Sequence, residues 1–163
     1  MDLHRGTASP ESAPETWSCK RAAHDDAERC VFHLSPAERD ELGIDDEAVT
    51  RALRSAAETA GEDPKALVGA HLGTVDLGRE RLTAADNRAL DLRHATIERF
   101  ACPGATIEQP IDLRGTTVEA VDCSEATFRG RADLSGMVVT GELLLEGTVF
   151  EADVVFADAP FEG

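Results

Sequence analysis

The 163-residue sequence predicts a mainly β fold, a β-helix closed at its N-terminal end by an α-helical cap. Three observations carry this. Apolar residues recur every five positions through the second half, a second small or apolar residue precedes each of them by two, and a helix-capping sequence stands just upstream.

Read from Leu72, the centres Leu72, Leu77, Leu82, Asn87, Leu92, Ile97, Cys102 and Ile107 lie five apart. Leu113, Val118, Cys123, Phe128, Leu134, Val139, Leu145, Phe150, Phe156 and Phe161 continue the series at steps of five or six. The residues two before the centres include Ala70, Val75, Ala95, Ala105, Ile111 and Ala126; Glu80 and Asn87 break the inward pattern. An apolar pair at i−2 and i has the period of a strand, but the next pair follows so soon that a corner must intervene. Such a chain coils. One coil cannot bury its own apolar side, so the core must come from stacking.

With a small residue at i−2 and Leu or Phe at i, residues 70–163 resemble the pentapeptide-repeat proteins. The acidity and the segment "WSC…CVFH" are similar to haloarchaeal members of that family. The resemblance implies a right-handed, four-sided β-helix with four pentapeptides per coil. Sorting every fourth centre then places Leu72, Leu92, Leu113, Leu134 and Phe156 on side one, and Leu77, Ile97, Val118, Val139 and Phe161 on side two. Side three takes Leu82, Cys102, Cys123 and Leu145; side four takes Asn87, Ile107, Phe128 and Phe150. The extra residues after Ile107, Phe128 and Phe150 fall at one corner, and the one after Val139 is the exception.

Upstream, "SPAE" at 35–38 is a capping box with proline at the first helical position. The helix it starts breaks near Gly43. A second helix is expected over 46–60, with Val49, Leu53, Ala56 and Ala60 as its apolar stripe and Gly61 as its stop. Its expected role is to cover the open first coil, whose strand edge would otherwise recruit other chains, and to shelter Glu80 and Asn87. Residues 1–34 then form a flexible N-terminus with a candidate Cys/His knuckle, 35–68 the helical cap and 69–163 the β-helix.

Charge limits the partners. The net charge of −16 argues against direct nucleic-acid binding. Only Lys20 and Lys65 are lysines, and an acidic surface with so little lysine matches halophilic adaptation; the alternative is a surface that imitates DNA. No apolar run is long enough to span a membrane and residues 1–17 lack a signal-peptide core, so a soluble, cytoplasmic chain without membrane insertion is expected.

Cys102 and Cys123 are consecutive side-three centres and read as core. Cys19 and Cys30 lie outside the repeats, and His33 stands three residues after Cys30; with His4 or His24 as a fourth ligand, soft sulfur and imidazole donors suit a structural zinc. The spacing matches no standard finger. No nucleophile and base stand in register, and the glycines sit at corners rather than in a phosphate loop, so an enzyme is not expected.

On side one Asp91, Asp112 and Asp133 should stack about 4.8 Å apart, with Arg93 and Arg114 beside the first two and Ser135 beside the third. In the last coil the outward positions become Val138, Leu144, Val149 and Val155, an apolar girdle that fits a protein partner or a second copy. The functional expectation is a non-enzymatic scaffold or binding module. Some members of the resembled family inhibit DNA gyrase by presenting a DNA-like rod, which makes topoisomerase the specific candidate partner. The alternative is a zinc-stabilised N-terminal module, or a fragment of a larger membrane-associated or signalling repeat protein.

Overall fold

The structure is a computed structural model that describes residues 21, 23 and 29–158. A short 3-10 turn, Val31–His33, leads to α1 (Pro36–Leu42), α2 (Asp46–Glu58) and a second such turn, Asp63–Lys65. Thirteen strands follow: β1 (His71–Asp76), β2 (Arg81–Leu82), β3 (Leu90–Asp91), β4 (Thr96–Ala101), β5 (Thr106–Ile107), β6 (Ile111–Asp112), β7 (Thr117–Asp122), β8 (Thr127–Phe128), β9 (Ala132–Asp133), β10 (Val138–Val139), β11 (Leu143–Leu144), β12 (Val149–Phe150) and β13 (Val154–Val155). All strand pairing is parallel, between residues one coil apart, in three sheets ordered β1-β4-β7-β10 with β11 also on β7, β2-β5-β8-β12 and β3-β6-β9-β13. This is a β-solenoid of about four turns, with the expected helices at its N-terminal end.

Both helices start where their caps require. The Ser35 hydroxyl accepts from Glu38 N–H while the Glu38 carboxylate accepts from Ser35 N–H, and Gly43 ends α1 with a left-handed φ of 66°. Asp45 caps α2. Gly61 is not its stop: α2 ends at Glu58, Ala60 is exposed, and Ala57 joins Val49, Leu53 and Ala56 in the buried stripe. That stripe lies against β1, and polar groups at its margin close the strand edge. Asp46 accepts from Thr74 N–H at 3.0 Å, and the Thr50 hydroxyl donates to the Thr74 carbonyl. Two side chains thus satisfy what a further strand would have satisfied.

The register corrects the first coil. Leu72 pairs with Ile97 and Leu82 with Ile107, a spacing of 25, whereas Ile97 pairs with Val118 at 21. Ala66 already bridges Asp91, which puts Leu67 under Leu92. Side one is therefore Leu67, Leu92, Leu113, Leu134 and Phe156; Leu72, Leu77 and Leu82 each move one side on from the place the five-residue phase assigns them. Asn87 is no centre at all. It is exposed in a corner segment between Leu82 and Leu90, at the corner that takes the extra residues of later coils. Glu80 is exposed too and pairs with Arg54 of α2, while the helix does not bury Asn87.

That corner segment has its own task. Lys65 is buried at the N-terminal mouth of the core, 1 % exposed, and its ammonium pairs with Asp86 from the corner segment. Asp86 also accepts from Gly61 N–H at 2.9 Å and Arg88 N–H at 3.1 Å. The added residues form a latch that ties the first coil to the end of the helical cap.

At the following corners the backbone turns left-handed in every coil: Gly69, His94, Gly115, Gly136 and Asp158 after side one, and Arg79, Gly104, Glu125 and Gly147 after side three. Non-glycine residues at positive φ cost energy, so local hydrogen bonds must hold them. Asp76, Asp91 and Asp122 do this ahead of Arg79, His94 and Glu125, each accepting from the N–H two residues on, and Asp112 and Asp133 make the same bond ahead of Gly115 and Gly136, all at 2.9–3.3 Å. Thr96, Thr117, Thr106 and Thr127 sit instead on sides two and four, inside strands, where a β-branched residue is favoured.

Lys65 hydrogen bonding first, then the Gly61 N–H, holds the Asp86 pKa down at about 2, from an ordinary 3.8. A depressed carboxylate stabilises the fold at pH above its unfolded value and loses that contribution as pH falls through its folded one. The thermal midpoint should therefore drop more steeply between about pH 4 and about pH 2 in the native chain than in Asp86→Asn. At neutral pH Asp86→Asn should melt lower, and Lys65→Met in that background should restore stability by removing the unpaired buried ammonium. Parallel melting curves for native and Asp86→Asn protein across that window would refute the latch.

Candidate interaction surface

Outward side chains one coil apart stand over each other, so the side walls carry columns. Asp91, Asp112 and Asp133 stack in register as expected. Arg93 binds Asp91 at 2.8 Å and reaches Asp112 at 3.9 Å; Arg114 binds Asp112 at 2.6 Å and reaches Asp133 at 3.9 Å. Asp133 also lies 4.0 Å from Arg131 and accepts the Ser135 hydroxyl at 2.7 Å. Burial pushes the Asp133 pKa up, but the Ser135 hydrogen bonds and Arg114 outweigh it and bring it below the usual value. Side four carries a second ladder: Arg81 to Glu108 at 2.8 Å, Glu108 to Arg129 at 3.7 Å, and Arg129 to Glu151 at 3.0 Å. Exposed pairs of this kind contribute about 0.2–1 kcal/mol each. Their main effect is to offset the repulsion of like charges held one strand spacing apart.

The C-terminal coil differs. Leu144 is 38 % and Val149 50 % exposed; Val138 and Val155 are half-buried. Two centres expected to point inward, Leu145 and Phe156, are 37 % and 42 % exposed because nothing among the described residues stacks beyond them. Below them a cavity of about 50 Å³ runs into the core, walled by apolar side chains including Leu134, Met137, Phe128 and Phe150, with Cys123 beside them. The Phe128 and Phe150 rings stack at 5.1 Å, and Phe156 meets Phe150 edge-on at 6.4 Å. Only their position in the final coil marks Leu145 and Phe156 as surface, since their spacing is that of core residues.

Carboxylates ring this end. No Lys, Arg or His follows Arg131, and Glu142, Glu146, Asp153 and Asp158 are all exposed.

At the other end Cys30 and His33 come together, with Sγ 3.0 Å from Nδ1, both buried. The His33 Nε2 donates to the Val68 carbonyl at 3.0 Å, leaving Nδ1 as the acceptor or ligand nitrogen. Cys19, His4 and His24 lie outside the described residues, and among the described residues no three His, Cys, Asp or Glu side chains gather for a metal. Cys102 and Cys123 adjoin inside the rod, where the Cys123 contact and then burial raise the Cys102 pKa far above that of a free thiol. His71 is half-buried, its pKa lowered by burial and by His33 and Arg39 nearby. His94 covers the corner at Gly115, and burial, then Arg93, lowers its pKa.

No helix among the described residues is long and apolar enough to cross a membrane. The sequence matches no protein-family model, no curated protein and no solved structure.

Proposed function

We propose that the chain is a non-enzymatic repeat scaffold of the pentapeptide-repeat kind, acting as a protein-binding module in the cytoplasm. The observation that carries this is the contrast between walls and end. Sides one and four compensate their charge through the two ladders, whereas the C-terminal coil exposes Leu144, Leu145, Val149 and Phe156 beside an apolar cavity. Soluble proteins seldom leave such a contiguous patch uncovered.

A DNA-mimicking role toward a topoisomerase is the specific form of this reading. Mimicry needs an uninterrupted acidic column, and duplex DNA carries about one charge per 1.7 Å. The arginines of sides one and four interrupt theirs, so the acidic charge left for mimicry is that of residues such as Glu98 and Glu119, adjacent and exposed on side two. Supercoiling assays should then show inhibition that Glu98→Gln with Glu119→Gln weakens; full topoisomerase activity at saturating protein would exclude this form.

A second reading concerns the N-terminal segment. The Cys30–His33 hydrogen bond puts a thiol beside an imidazole whose second nitrogen is already on a carbonyl, and this supports reading the two as a metal-ligand pair with its orienting hydrogen bond. Zinc held by Cys30 and His33, with Cys19 and His4 as the remaining ligands, would stabilise the cap directly. Purified protein should carry about one zinc per chain, and Cys30→Ser should lose it and melt lower. Folded, metal-free native protein would remove the zinc.

A further inference from the structure

We infer that Cys102 and Cys123 form a peroxide-sensitive staple, two thiols on consecutive coils that a small neutral peroxide closes into a reversible cross-link inside the rod. The staple depends on neither the binding role nor the zinc; it follows from the stacking of the coils.

Register brings the pair together. Ala101 pairs with Asp122, and Cys102 N–H donates to the Asp122 carbonyl at 2.7 Å, so the next residues, Cys102 and Cys123, are counterparts one coil apart. Both belong to the core, 0 % and 3 % exposed, and both are free thiols. Counterpart Cα atoms in neighbouring parallel strands lie about 4.8 Å apart, inside the range of about 4.4–6.8 Å that disulfides bridge. Their Cβ directions run side by side, so closure draws the sulfurs together across the strand spacing and leaves a strained bond that thiol reductants open readily. Elsewhere in these two coils the stacks are hydrocarbon: Leu92 with Leu113, Ile97 with Val118 and Ile107 with Phe128. Side three alone sets thiol against thiol there, and a bond between them ties one complete coil of 21 residues to the next.

The chemistry closes with one oxidant. Peroxide converts one thiol to a sulfenic acid and releases water; the second thiol then attacks that sulfur, the S–S bond forms and a second water leaves. Two thiols lose two electrons and two protons, and one peroxide takes them up. Access sets the rate. The Cys123 contact, then burial, pushes the Cys102 pKa up, so little thiolate is present in the closed rod. The turn above covers Cys123, whose N–H donates to the Leu144 carbonyl at 2.9 Å and whose carbonyl accepts from the Thr148 hydroxyl at 2.8 Å. Reaction therefore waits on local opening of that segment, an event well short of global unfolding. The pair responds to sustained oxidant rather than to a brief pulse.

The test uses the whole native chain, exposed to hydrogen peroxide for minutes to hours, alkylated and digested. Trypsin cuts after Arg99, Arg114 and Arg129, so the staple appears as peptides 100–114 and 115–129 joined, lighter by two hydrogens than the two together. Its formation should speed up at denaturant concentrations that leave circular dichroism unchanged, as a reaction limited by local opening does. Amide exchange over residues 102–123 should slow by about tenfold or more in the oxidised chain, and dithiothreitol should restore the starting rate.

Peptides that gain oxygen at Cys102 or Cys123 without joining would overturn the staple. So would thiols that stay unmodified after prolonged exposure. A cross-link that forms only once circular dichroism is lost would overturn it too, since the folded rod would then not make the bond.

Discussion

Everything in this molecule depends on parallel, in-register pairing of one coil with the next. Because Leu90 pairs with Ile111 and Ile111 with Ala132, each residue is answered by its counterpart one coil away, at about 4.8 Å. The constraint works on all residue types at once. Inward residues form apolar stacks such as Ile97, Val118 and Val139, which is how a chain with no long strand builds a core. Outward residues form charge columns, and a column of one sign is unstable without a second column beside it. The arginines of side one answer that need, each bound to the aspartate of its own coil and reaching the next.

The same constraint explains why Thr and Asp alternate along "GATIEQPIDLRGTTVEAVDCSEATF". Corners after sides one and three turn left-handed, and at five of them an aspartate just before the centre holds the turn by accepting the N–H two residues on. Threonine occupies the equivalent place on sides two and four, where the chain stays extended. Read from the sequence alone, Asp91, Asp112 and Asp133 look like a presented acidic surface. Their first task is local: they fasten corners, and their charge follows from that choice of residue.

Much of the fold was legible from period alone, and one part was misread for a physical reason. Stacking requires corresponding residues to face each other, but it does not require coils of equal length, because a corner can lengthen without disturbing the stacks. The run from Leu72 to Ile107 keeps a five-residue phase although the chain leaves the wall between Leu82 and Leu90, so Asn87 falls in phase by coincidence. Two signs in the sequence point to the true register. Asn87 is polar at a position meant for the core, and Leu67 offers an apolar centre one step before the assumed start. The placement of Lys65 was not legible: a lysine at i−2 reads as a mismatch until Asp86 is brought against it. The Cys30–His33 pair was legible as proximity in sequence, and the Val68 carbonyl that orients the imidazole was not.

The two ends of a solenoid pose the same problem and here receive opposite solutions. Each end exposes strand edges and the cross-section of an apolar core, either of which would recruit another chain. At the N-terminal end the chain closes both. α2 lays Val49, Leu53 and Ala56 over the core, Asp46 and Thr50 occupy the edge at Thr74, and the Lys65–Asp86 latch ties the first coil to the helix end. At the C-terminal end the described residues do neither: core-type side chains lie open, and the arginines that accompany acids lower down are missing. Greater solvation of that coil would have replaced Leu144 and Val149 with polar residues, as Glu98 and Glu119 show on the walls. Apolar and acidic groups stand side by side there instead, Leu144 and Val149 next to Glu142 and Glu146, and that juxtaposition is what the proposed binding role starts from.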